Sequence, residues 1–186
     1  GLGIGMIHQH FMLMPNQTVL RNIILGSAPK KGPVIDEKTA REKIQRIMDT
    51  YGMQVNLDAV ASHISVGEKQ KVEIIKALYR EVRILILDEP TAVLTPAETD
   101  ALIETMKKLK EQGCTIIFIT HKLKEVLAAT DRVTVMRKGV VTGSGETKDM
   151  TVRRLSELIV GREVNFNVAF NPYAPGGKLL ELDEAS

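Results

Sequence analysis

Apolar residues run almost without interruption over 84–87 (Ile-Leu-Ile-Leu) and 115–120 (Thr-Ile-Ile-Phe-Ile-Thr), whereas elsewhere they recur every three or four positions. Short continuous runs of this kind predict strands buried on both faces of a parallel sheet. Residues 4–8 predict a further, shorter strand. Between the runs the period becomes helical. Ala40, Ile44, Ile47, Met48 and Tyr51 share one helical face, which Asp36 can cap and Gly52 can end. Val72, Ile75 and Leu78 form a second stripe, opened by Ser65 with Glu68 three residues on as the partner in a capping box. Leu102, Met106 and Leu109 form a third, opened by Thr95-Pro96 with Glu98 in the reciprocal position and closed by Gly113. A short helical piece over 19–25, helices over 122–129 (Leu123, Val126, Leu127) and 151–160 (Leu155, Leu158, Ile159), and strands over 131–136 and 140–142 around Gly139 complete the pattern.

Strands separated by helices in the C-terminal two thirds predict an α/β sheet. Residues 9–65 lack strong strands and read as a mostly helical lobe. Tyr51, Tyr79, Met106 and Met136 fit apolar packing positions. With 186 residues, 44% of them apolar and 26% charged, the composition is that of a globular chain with one substantial core. A net charge of +2 gives no electrostatic case for a nucleic-acid partner. Cys114 is the single cysteine, which excludes an internal disulfide and a thiolate zinc cluster. The chain opens at Gly1 with a strand already beginning, and residues 178–182 (Lys-Leu-Leu-Glu-Leu) read as one more strand after a Pro- and Gly-rich linker at 164–177. The expectation is a piece of a longer polypeptide: a first domain over 1–163, the linker, and the start of a second module at 178–186.

Candidate chemistry lies at the predicted strand ends. Asp88 and Glu89 follow the run at 84–87, and in open α/β sheets the C-terminal strand edge is where ligands bind. One acid there can hold Mg²⁺ and its neighbour can act on water as a general base. The residues alone leave a second reading open, an acidic turn before Pro90. Gln9 ends the strand at 4–8 and His121 follows the strand at 115–120. Ser65 and Gly67 stand where a helix N-terminus can face phosphate, although helix capping explains Glu68 fully. His8 and His10 flank Gln9 without a convincing third metal ligand nearby. No G-x-x-x-x-G-K-[ST] phosphate loop occurs in the sequence.

Taken in chain order, five segments resemble the nucleotide-binding domain of an ABC transporter: Gly5-Met6-Ile7-His8-Gln9, Ile64-Ser65-Val66-Gly67-Glu68-Lys69-Gln70, 84–90, Ala92-Val93-Leu94-Thr95, and Ile119-Thr120-His121. In that family they correspond to the Q-loop, the signature, Walker B with its adjacent glutamate, the D-loop and the switch histidine. His8-Gln9-His10-Phe11, residues 67–74 and Ala77-Leu78-Tyr79-Arg80 are similar to the ATPase subunits of nucleoside and simple-sugar importers, with the paired histidines closest to the nucleoside branch. The sequence departs from the general family at Val66-Gly67, where two glycines are usual, at Glu68 in place of glutamine, and at Thr95 in place of the D-loop aspartate.

The resemblance implies a P-loop NTPase-like parallel sheet with helices, and a mostly helical signature lobe over about residues 12–80. It implies ATP and Mg²⁺ as cofactors of the intact protein. Glu89, His121 and Gln9 would be catalytic, and Ser65, Val66, Gly67, Glu68, Asp88 and Thr95 would contact nucleotide. Asp88 and Gln9 would attend the metal. Implied partners are transmembrane permease subunits, a second nucleotide-binding module or subunit, and an extracytoplasmic substrate-binding protein, with the chain peripheral at the cytoplasmic face of the membrane. Without the phosphate loop, these residues alone are expected neither to hydrolyse ATP efficiently nor to bind it tightly, and uncovered sheet faces are expected to drive self-association. Two alternatives stand beside the importer reading: a soluble ABC ATPase of DNA repair or translation, and a catalytically silent regulatory ABC domain.

Overall fold

The computed structural model describes residues 3–31 and 34–162. Its elements are β1 (Ile4–Ile7), α1 (Val19–Ile24), β2 (Lys30–Lys31), β3 (Val34–Ile35), α2 (Glu37–Tyr51), α3 (Val66–Tyr79), β4 (Ile84–Asp88), α4 (Pro96–Glu111), β5 (Thr115–Ile119), α5 (Leu123–Ala129), β6 (Arg132–Arg137), β7 (Val140–Glu146) and α6 (Val152–Val160). The predicted linker at 164–177 and the start of a second module at 178–186, with its strand at 178–182, lie outside the described residues.

Strands β1, β4 and β5 form a parallel sheet in the order β1-β4-β5, with Leu87 opposite both Ile7 and Phe118. The long connections that parallel pairing requires are the helical lobe between β1 and β4 and helix α4 between β4 and β5. In the lobe, α2 is capped as its sequence predicts: the Asp36 side chain accepts the Thr39 N–H, and Gly52 ends the helix at φ 68° while its N–H bonds to Met48 O. A left-handed residue at that place is accessible to glycine at little cost. Ala40, Ile44 and Met48 of α2 join Val72 and Ile75 of α3, Ile23 of α1, Leu85 and Leu87 of β4, and Leu102, Met106 and Leu109 of α4 in one continuous core. A smaller core of Val126, Val135 and Leu155 joins α5, β6 and α6.

Several expectations need correction. Strands β4 and β5 are covered on one face only. Ile7, Leu85 and Leu87 are buried beneath the helices, but Ile4, Met6, Ile117 and Ile119 are 44–52% exposed, and the register places them together on the opposite face. Burial of both faces needs a covering layer on each, and among the described residues only one face has it. Strands β6 and β7 around Gly139, whose pairing the sequence left open, form a separate antiparallel pair with a register shift between Val135 and Met136. Met136, assigned to packing, is 63% exposed on that hairpin, and Ile159 is exposed on α6. The lobe also holds a two-residue antiparallel pair, β2 with β3, too short to leave a sequence signal.

The open apolar face predicts association. Light scattering on the 186-residue chain is expected to give a mass above that of the monomer at high concentration, and Ile117→Lys, which places a charge in the centre of the face, is expected to return it to monomer. A strictly monomeric wild-type chain at high concentration contradicts this.

Candidate functional site

Parallel alignment brings three loops to one sheet edge. Asp88 is the last residue of β4 and lies opposite Ile119, so Glu89 on one strand and His121 on the next leave the sheet side by side. Ile7 opposite Leu87 places Gln9 beyond the same edge. At Glu89 the backbone turns sharply: φ is 47°, the amide donates to Ile119 O at 2.9 Å, and the carbonyl accepts from Ala92 N at 3.1 Å. A non-glycine residue held in that region costs about 1–3 kcal/mol and persists where surrounding bonds over-determine it.

The turn fixes the Glu89 carboxylate between two environments. Its Oε1 lies 2.9 Å from His121 Nδ1, so an Nδ1–H tautomer donates to it. The other oxygen, Oε2, is buried and has no hydrogen-bond partner among the described residues. A buried acceptor without a partner carries a desolvation cost, and such atoms mark places where a protein handles water or ligand. The glutamate side chain is 21% exposed and the histidine 74%, so the pair opens from the sheet edge to solvent. Asp88 beside it is half-buried.

A second tier of bonds lies behind this pair. Thr91, fully buried, donates from Oγ1 to Glu125 Oε2 at 2.7 Å. Thr120 Oγ1 lies 3.5 Å from the same oxygen and accepts the Lys122 N–H at 3.1 Å. Lys122 Nζ donates to Thr91 O at 2.7 Å and pairs with Glu125 Oε1 at 3.3 Å. Sequence reasoning missed Thr91, Lys122 and Glu125 altogether. A Glu near the start of a short helix reads as a solvated first-turn acid, and only the tertiary arrangement buries it.

The remaining predicted residues fall into two groups. Gln9 is exposed in the loop after β1, with no hydrogen bond to Asp88 or Glu89. Ser65, Val66, Gly67 and Glu68 form the N-terminus of α3, closed by a complete capping box: Ser65 Oγ accepts from Glu68 N at 3.2 Å, and Ser65 N donates to Glu68 Oε2 at 2.9 Å. Thr95 caps α4 in the same way with Glu98, whose carboxyl is held below its ordinary range by the Thr95 amide and hydroxyl. These two helix starts meet. A Cβ at Gly67 would lie 2.8 Å from Glu98 Cδ, so a side chain there would have to push aside the end of the Glu98 side chain. The structure therefore joins Glu89 with His121, and the α3 start with the α4 start, as two separate contacts.

The family model described as ABC transporter matches residues 1–92. The chain is 50% identical over 183 residues to the nucleoside import ATP-binding protein NupA of Lactococcus lactis subsp. cremoris, covering 98% of this chain and 36% of that protein. It is also 50% identical over 182 residues to the guanosine import ATP-binding protein NupO of Bacillus subtilis, with the same coverages. The chain thus spans about a third of the length of these relatives. Among solved structures, cbiO1 from Clostridium perfringens, part of the ABC transporter complex cbiONQ, superimposes with a TM-score of 0.68 at 31% identity, over 79% of this chain and 58% of that one. On sequence, motif order and fold together, the chain belongs to the ABC transporter ATP-binding family.

Proposed function

We propose that this chain carries the water-activating and signature elements of an ATP-hydrolysing module that energises membrane import of nucleosides or simple sugars. The observation that carries the proposal is the Glu89–His121 contact at the sheet edge, with Glu89 Oε2 buried and without a partner among the described residues. Importer function and substrate class rest on the half-identical nucleoside and guanosine importers. The relative in the cbiONQ complex supports assembly with permease partners at the cytoplasmic face of the membrane. A second module and an extracytoplasmic binding protein complete the proposed assembly.

Phosphoryl transfer asks the protein for a positioned water and for neutralised phosphate charge. Glu89 Oε2, buried and without a donor among the described residues, is the acceptor for one hydrogen of the attacking water. His121 holds Oε1, which fixes the carboxylate's rotation and leaves its own Nε2 for a second hydrogen bond. The acid pair fits the cation side of an ATP–Mg²⁺ site: Asp88, assisted by Gln9, would hold the ion, which when bound neutralises charge on phosphate oxygens. At α3, the Ser65 hydroxyl accepts Glu68 N and so keeps its own hydrogen to donate. That hydrogen, together with the amides of Val66 and Gly67, would face the γ-phosphate held by a second module. Glu68 and Thr95 would shape this surface through their caps. A phosphate-cradling loop with its lysine is not among these residues.

Two outcomes follow. In the complete transporter, Glu89→Gln is expected to lower kcat for ATP by roughly 10²–10⁴-fold with little change in KM, and to abolish nucleoside or sugar uptake in parallel. Phosphate release and labelled-solute uptake measure both, and a kcat within twofold of wild type contradicts the role. For the purified 186-residue chain, the expected result is no measurable ATP turnover, so turnover matching the complete protein would sink the division of labour.

A further inference from the structure

We infer that Glu125 is a positioning residue that sets the distance between Glu89 and His121 without touching either. This rests on the proposed function for its catalytic consequence, but its structural part stands on the geometry of this chain. Glu89 and His121 sit on two different loops, and their only side-chain bond to one another is the 2.9 Å contact. His121 is largely solvent-exposed, so its ring goes where the backbone of residues 120–122 carries it.

That backbone is tied to the Glu89 turn through one buried carboxylate. Glu125 lies in the first turn of α5 and is 9% exposed. Its Oε2 takes the hydroxyl of Thr91, two residues beyond Glu89, and lies near that of Thr120, the residue before His121. Its Oε1 pairs with Lys122, the residue after His121, whose ammonium also reaches the Thr91 carbonyl. Both residues flanking His121 and the turn that carries Glu89 therefore converge on Glu125. A buried carboxylate that faces two hydroxyls and an ammonium is satisfied only while all of these hold their places. An amide at this position would turn an N–H toward donors and release the loops. The bland reading is a satisfied buried glutamate that stabilises the fold, and it predicts nothing particular for His121.

The tautomer of His121 separates the two readings, because the bond made by one ring nitrogen selects it. Long-range proton–nitrogen correlation on the nitrogen-labelled chain, held at one pH above the ordinary histidine range, reads it directly, with the signal assigned by its loss in His121→Gln. Wild type is expected to show mainly the Nδ1–H form, donated to Glu89. In Glu125→Gln and in the isosteric Thr91→Val, the share of that form is expected to fall by about twofold or more, while Thr91→Ser, which keeps the hydroxyl, retains it. Folded Glu125→Gln and Thr91→Val chains with an unchanged tautomer ratio would overturn the inference. If Glu125→Gln fails to fold by circular dichroism, the Thr91→Val and Thr91→Ser pair decides; if Thr91→Val also unfolds, the network serves the fold as a whole and the inference falls. In the complete protein, Glu125→Gln is expected to cost about 10- to 100-fold in kcat for ATP with KM nearly kept, since small misplacement of a reacting group has losses of that order. An unchanged kcat counts equally against it. A complete protein that hydrolyses no ATP at all defeats the proposed function, while the tautomer comparison still decides the positioning role.

Discussion

The register between β4 and β5, with Asp88 opposite Ile119, determines where Glu89 and His121 leave the sheet and so whether they can meet. Side chains alternate faces along a strand, so a slip of one residue would carry Leu85 and Leu87 out of the core and turn the strand ends apart. Both leucines are fully buried beneath the helices, which makes that slip expensive. The hydrogen bond from Glu89 N to Ile119 O extends the ladder one step past the strand and fixes the turn. Hydrophobic burial on one face of the sheet is thus converted into a defined carboxylate position at its edge.

Rigidity is distributed unevenly around this register. Beneath the sheet, α3 and α4 pack on β1, β4 and β5, and their N-termini touch where Glu98 abuts Gly67. The signature-like segment and the D-loop-like segment therefore lie side by side, each held by its own capping box. At the sheet edge the support is polar, through Thr91, Thr120, Lys122 and Glu125. On the far face Ile4, Met6, Ile117 and Ile119 remain open to solvent.

Features governed by local chemistry were legible in the sequence. Both capping boxes, the stripe and glycine stop of α2, and the acid pair at a strand end follow from neighbouring residues, and all occur where the sequence places them. What depends on distant partners was not. A continuous apolar strand encodes suitability for burial on two faces, but what covers each face is decided by packing, so the strand pattern taken alone overstates the cover over Ile117 and Ile119. Met136 and Ile159 failed for the same reason, since an apolar side chain does not specify its cover. Glu125 was invisible because nothing local distinguishes a solvated first-turn acid from one buried between two loops. The motif order identified the family, and the half-identical relatives agree with it.

The central claim is that Glu89 and His121 act as one unit on the attacking water. A double-mutant cycle in the complete protein, using Glu89→Gln, His121→Ala and the pair together, tests it most directly through kcat for ATP. Groups that work as a unit are non-additive, so the double variant is expected to lose little more than Glu89→Gln alone. Losses that simply multiply would mean the two residues act independently, and the contact between them would carry no catalytic meaning.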